Sequence, residues 1–197
     1  VSGALGSDEV SYTLSRTSGE TVGTYAINVT PGSNPNYEVT TDSAIFTINK
    51  RAATVTATGK SKTYGNADPA LTATVTGTVR SDVVSYTLSR EVGEDVGTYA
   101  IVAESGNNPN YTVSVEGGTF TIEKKYATVT ANNKSKTYGE VDPELTATVT
   151  GRVGDDSIDY TLSRTSGETV GTYAINVNDN DNPNYEVTTV PGTFSIV

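Results

Sequence analysis

Leu71-Thr72-Ala73-Thr74-Val75-Thr76 sets an apolar side chain at every second position and a threonine between each pair. Successive side chains of a strand point to opposite faces, so a period of two buries one face and wets the other; a helix would need a period near 3.6. Working outward, the same alternation runs through Ala53-Thr54-Val55-Thr56-Ala57 on one side. On the other it continues through Val84, Tyr86 and Leu88, then Tyr99, Ile101 and Ala103, then Tyr111, Val113 and Val115, and ends with Phe120 and Ile122. Thr and Val are β-branched and suit a pleated surface. Turn formers punctuate these runs at Tyr64-Gly65-Asn66, Asp68-Pro69, Glu91-Val92-Gly93, Asn107-Asn108-Pro109-Asn110 and Gly117-Gly118. The pattern predicts an all-β module of about six or seven strands, with at most a turn of 3₁₀ helix at Asp68-Pro69-Ala70-Leu71. Nothing helical is long enough to cover a sheet, so the apolar faces must close sheet against sheet as a sandwich.

That module recurs. Tyr12, Tyr86 and Tyr160 each open Y-T-L-S-R; Gly23, Gly97 and Gly171 each open G-T-Y-A-I; Pro35, Pro109 and Pro183 each sit in N-P-N-Y. A fixed offset of 74 residues divides the 197-residue chain into a partial repeat over 1–49, lacking its N-terminal strands, and complete repeats over 50–123 and 124–197. The junctions Phe46-Thr47-Ile48-Asn49-Lys50-Arg51-Ala52-Ala53 and Phe120-Thr121-Ile122-Glu123-Lys124-Lys125-Tyr126-Ala127 hold neither Gly nor Pro. Flexible linkers are rich in Gly and Ser, so these predict an elongated, semi-rigid array. In the partial repeat, Tyr12, Leu14, Tyr25, Ile27, Val29, Val39, Phe46 and Ile48 face a core whose first strands are missing, which predicts fraying or strand exchange between chains.

Glu94-Asp95-Val96-Gly97-Thr98-Tyr99 has the D-x-G-x-Y spacing found before the strand of an immunoglobulin-like sandwich whose tyrosine bonds back to its own corner. Immunoglobulin-like β-sandwich modules are therefore the expected fold, with β-grasp-like modules as the alternative. Thr169 replaces the Asp in the third copy.

Composition excludes much chemistry. The chain has no Cys, His, Met or Trp, hence no imidazole base, no thiolate nucleophile and no disulfide. A net charge of -10 repels phosphate backbones, so nucleic acid is not an expected partner. No apolar run reaches the roughly 20 residues of a membrane-spanning helix, and no membrane insertion is expected of this stretch.

Taken in order, Lys62-Thr63-Tyr64-Gly65, Asp68-Pro69-Ala70-Leu71, Val75-Thr76-Gly77, Gly97-Thr98-Tyr99-Ala100-Ile101, Asn108-Pro109-Asn110-Tyr111 and Gly118-Thr119-Phe120-Thr121-Ile122 resemble the MBG/YDG-type tandem repeats of large bacterial surface adhesins. Lys136-Thr137-Tyr138-Gly139 and Asp142-Pro143-Glu144-Leu145 continue the match, while Ala44-Ile45 departs from Gly-Thr. The resemblance implies a secreted, extracellular module of the bacterial cell surface, used in arrays and carrying no catalytic residues.

Four groups of side chains are candidate sites. Asp155, Asp156, Asp179 and Asp181 are calcium candidates, since hard cations take carboxylate and carbonyl oxygens; the competing reading is solvated turns. Lys60, Lys62, Lys134 and Lys136 read as edge-strand charges that discourage sheet-to-sheet aggregation. A Lys–Asn isopeptide bond needs a buried lysine, and none is expected at an inward position. The threonine rows read as cross-strand pairs. The expected function is thus a non-enzymatic stalk or spacer repeat of a surface adhesin, with no cofactor and with neighbouring repeats as its partners. The alternative is a multivalent binding module for host glycan or protein. Residues 12–29 and 160–177 are identical, whereas Thr30-Pro31-Gly32-Ser33 has become Asn178-Asp179-Asn180-Asp181. Drift in an exposed loop between otherwise matching copies favours the spacer.

Overall fold

The computed structural model describes residues 1–197 and contains strands and no helix. The first copy contributes β1 (Tyr12–Arg16), β2 (Gly23–Pro31) and β3 (Ala44–Ile48). The second contributes β4 (Arg51–Ala57), β5 (Lys60–Thr63), β6 (Ala73–Thr76), β7 (Tyr86–Arg90), β8 (Gly97–Ser105), β9 (Tyr111–Glu116) and β10 (Gly118–Glu123). The third repeats that set as β11 (Lys125–Ala131), β12 (Lys134–Lys136), β13 (Ala147–Thr150), β14 (Tyr160–Arg164), β15 (Gly171–Asp179), β16 (Tyr185–Val190) and β17 (Gly192–Ile196). A complete copy therefore has seven strands. The predicted 3₁₀ turn is absent: residues 68–72 are irregular, and Asp68 is drawn instead to Lys62 and Arg90. With no helix to lay against a sheet, closure is by sheets alone. No helix is long and apolar enough to cross a membrane.

Two compact units divide the chain, one made of residues 1–56, 74–87 and 103–116, the other of 57–73, 88–102 and 117–197. The third copy lies wholly in the second unit and shows how a module closes. Its sheets have the orders β13-β11-β16 and β12-β17-β15-β14. Ala127, Val129, Ile158 and Tyr185 form one buried cluster, and Ala131, Ile175, Phe194 and Ile196 another, with Val177 packed against both. Each large side chain taken fully out of water contributes about 1.5–3 kcal/mol, so these rows supply the drive for closure. The inward positions are those of the period-two reading.

Parallel pairing is what that reading did not contain. β11 runs parallel to β16 from Lys125↔Tyr185 to Thr130↔Val190, and β12 runs parallel to β17 from Lys134↔Phe194 to Lys136↔Ile196. One extended stretch thus leaves the first sheet at Ala131 and enters the second at Lys134. Parallel partners are joined by long connections, so no local hairpin signal announces them.

In the first unit, β1, β2 and β3 form an antiparallel sheet, and β4 sits between β6 and β9, parallel to the latter. Tyr37-Glu38-Val39-Thr40-Thr41 repeats the sequence of Tyr185-Glu186-Val187-Thr188-Thr189, which is strand β16, yet residues 37–43 form no strand. The counterpart of β11 that would pair with it is not there. The uncovered face is visible in burial as well: Phe46 is 41% exposed where Phe194 is 0%, and Leu14 is 63% exposed. Tyr25, Ile27, Val29, Val39 and Ile48 are only half-buried.

Candidate functional site: the inter-repeat joint

The N-P-N-Y turn uses its two asparagines differently. The first pins its own module: Asn182 accepts from the Asp159 amide and donates to the Asp159 carbonyl, both at 2.9 Å, and Asn108 treats Ser85 in the same way at 2.8 and 2.9 Å. Both side chains are buried, and both are satisfied. The second asparagine reaches into the preceding copy. Asn184 Oδ1 accepts from the Val96 amide at 2.8 Å, and its Nδ2 donates to Asp95 Oδ1 at 2.9 Å. Asn110 Oδ1 accepts from the Val22 amide at 3.1 Å. That joint has one arm only, because Thr21 stands where Asp95 does.

The tyrosine of the same motif builds a socket. Tyr185 donates its hydroxyl to Asp156 and accepts from the Val153 amide at 2.9 Å. Burial and the Asp156 carboxylate push its phenol up to about 12. Into this socket comes the Tyr64-Gly65 turn of the preceding copy. Tyr64 donates to Asp156 at 3.0 Å, which with burial raises its phenol too, and its ring meets Tyr185 edge-on, with centroids 5.4 Å apart. Gly65 has φ +80 and lies against Val153, where any Cβ would collide. A plug of Tyr and Gly thus fits a socket of Tyr, Asp and Val. In the sequence these two residues read as a turn and as part of the first motif of the family resemblance, with no contact to another copy expected of them. The signal that could have identified the plug is an apolar ring beside a glycine in an otherwise polar loop.

The corner that receives the asparagine is itself held. Tyr25, Tyr99 and Tyr173 each donate to the backbone carbonyl four residues earlier, at 2.6, 2.8 and 2.8 Å. A carbonyl acceptor explains why Thr169 serves as well as Asp95 at that position. Between the modules the strands leave little slack: β3 ends at Ile48 and β4 begins at Arg51, and only Lys124 separates β10 from β11.

Beside each corner lies a charge cluster that corrects the reading of the lysines. β5 and β12 are edge strands as expected, but Lys62 and Lys136 point inward and are buried. Lys62 Nζ meets Asp68 at 2.7 Å and also Glu94, while Arg90 Nε meets Asp68 at 2.6 Å. All five Arg90 donors are engaged, by Asp68, Glu94 and the carbonyls of Glu91 and Gly93, and its plane lies 4.8 Å over Phe120. Lys136, Asp142, Arg164 and Glu168 repeat the arrangement. The inward lysine is tolerated because two carboxylates neutralise it. Lys60 and Lys134 are half-buried.

The same cluster bears on isopeptide chemistry, which needs a neutral amine and a protonated carboxyl. The Arg90 guanidinium and Lys62 hold Asp68 down to about 2, and Asp68 and Glu94 push the Lys62 amine up. Arg164 does the same to Asp142, again to about 2. These shifts favour the ionised forms of both groups, which opposes amide formation.

The four acidic candidates are dispersed. Asp156 is engaged by two phenols, Asp179 accepts from Asn182 at 2.8 Å, and Asp155 and Asp181 are exposed. No three acidic groups converge on one point.

The family model for the MBG domain (YGX type) matches residues 1–47, 53–121 and 127–195. Comparison with curated proteins gives no match.

Proposed function

Because the chain belongs to the MBG domain family (YGX type), whose model matches three successive segments of it, we propose that it is a structural stalk or spacer repeat of a bacterial surface adhesin, holding a distal binding region away from the envelope. The observation that carries this reading is the joint. Successive copies are fastened by contacts that recur at equivalent positions of the repeat, Asn110 to Val22 and Asn184 to Val96, with no free linker between strands. A spacer needs defined joints; a set of independent binding heads does not. No three acidic groups gather at one point to form a centre of reactive chemistry. On this reading the protein is extracellular and does no catalysis.

The alternative is weak, multivalent binding of host glycan or protein. Binding of the chain to glycan arrays and immobilised host proteins separates the two. The spacer reading expects no saturable binding, and a saturable signal lost on substituting residues 178–181 would replace it with the binding-module reading.

A further inference from the structure

The second copy meets the third through the Tyr64-Gly65 plug and the Asp95-Val96 corner, and both elements lie in loops: residues 64–72 follow β5, and residues 91–96 join β7 to β8. One set of charges holds both loops. Lys62 and Asp68 flank the plug, and their ion pair at 2.7 Å closes the loop that carries it. At the corner the Arg90 guanidinium gathers its own loop, donating to the carbonyls of Glu91 at 2.8 Å and Gly93 at 2.7 Å and to the Glu94 carboxylate. The two loops are then tied to each other, because Arg90 Nε also donates to Asp68 at 2.6 Å and the buried Lys62 amine also donates to Glu94. Two cations and two carboxylates thus form a closed square, in which Asp68 from one loop and Glu94 from the other each bond both Lys62 and Arg90. Tyr64 stands two residues after Lys62, and Asp95 follows Glu94 directly.

We propose that this square is the positioning device of the joint: it locks the plug loop to the corner loop, so that both contacts with the third copy are set together and lost together. Lys62, Asp68, Arg90 and Glu94 bond within the second copy, so they act on the joint through the loops they hold. The lock is stiff because the Lys62 side chain is only 4% exposed. A buried charge that leaves its partners is stranded where water solvates it poorly, a far greater cost than opening an exposed ion pair. Such a device serves a spacer and a binding module alike, so its failure would leave the spacer reading to its own test.

Lys62→Met and Lys136→Met, made in the whole chain, test it. Lys136 forms the same square with Asp142, Arg164 and Glu168, around the Thr169-Val170 corner and away from Asn184, so the two variants lose the same bonds in different places. Native-state hydrogen exchange follows the Val96 amide, which donates to Asn184, and nuclear Overhauser effects follow the contact between the Tyr64 and Tyr185 rings. In Lys62→Met the Val96 amide is expected to lose protection about tenfold and the ring contact to weaken with it, whereas in Lys136→Met both stay as in the parent chain. Unchanged Val96 protection in Lys62→Met, loss of one contact without the other, or an equal loss in Lys136→Met overturns the proposal. The last result would make the effect one of module stability. Should Lys62→Met fail to fold, Glu94→Gln decides: its side chain is 69% exposed, so the fold survives, and loss of the charge is expected to lower Val96 protection severalfold. Protection equal to that of the parent chain would overturn the proposal.

Discussion

Replacing the second asparagine of N-P-N-Y by alanine, one copy at a time, gives three chemically identical perturbations in three different settings. Asn36 is exposed and caps no corner within the chain, so Asn36→Ala should leave stability within about 0.5 kcal/mol of wild type. Asn110 caps one partly buried amide at 3.1 Å, a neutral hydrogen bond, and Asn110→Ala should cost about 1 kcal/mol. Asn184 caps a nearer amide, at 2.8 Å, and adds the bond to Asp95 at 2.9 Å. Solvent reaches the Asp95 carboxylate, so that second arm adds about 0.5–1 kcal/mol, and Asn184→Ala should cost about 1.5–2 kcal/mol in all. Native-state hydrogen exchange reads the loss where it occurs: the Val96 amide should lose protection by about tenfold or more in Asn184→Ala. It should be unchanged in Asn110→Ala, which acts on Val22. Equal losses from Asn36→Ala and Asn184→Ala would refute the reasoning, because the effect would then belong to the turn and not to the joint.

Phe46 and Phe194 occupy the same place in the repeat but lie in an uncovered and a closed module; Phe194→Ala should cost about 3–5 kcal/mol in urea unfolding and Phe46→Ala much less, since little cavity forms where solvent already reaches the ring. Asp68 and Asp142 titrate at about 2 in the folded chain, below an unfolded value of about 4, so the stability they add is complete above that value and is lost as pH falls through the folded one. The melting temperature should therefore hold steady from neutral pH to about 5 and fall between about 4 and 2. Lys136→Met keeps the apolar stem but leaves Asp142 and Glu168 with Arg164 alone; the Asp142 carboxyl, followed by NMR titration, should move upward from about 2.

Much of the module could be read from its residues, because alternation fixes which side chains face inward. Val129, Ile175, Phe194 and Ile196 are all at such positions, and all are buried. The tyrosine corner was legible too, from spacing alone. β5 and β12 were harder: Lys60-Ser61-Lys62-Thr63 and Lys134-Ser135-Lys136 carry no apolar residue, so a hydrophobic pattern passes over them. Their inward lysines become sensible only once Asp68, Arg90 and Glu94 are brought together from three separate segments. Tyr37-Glu38-Val39-Thr40-Thr41 shows the reverse limit. Its local preference equals that of Tyr185-Glu186-Val187-Thr188-Thr189, and only the presence of a partner strand makes one of them β. The joint was legible only in part. The absence of Gly and Pro between copies announced a short connection, whereas the plug of Tyr64 and the clamp of Asn184 are contacts over 92 and 88 residues that no local pattern encodes.

Stiffness at the joint is the claim on which the spacer reading turns. The chain has no cysteine, so Val92→Cys and Val141→Cys, at positions 95% and 91% exposed in the second and third copies, take spin labels at two defined points. Pulsed electron–electron resonance then measures the distribution of distances across the joint. A single narrow distribution is expected, broadening when Asn184→Ala and Tyr64→Ala are added. A distribution already broad in the parent chain, and unchanged by those substitutions, would contradict the account.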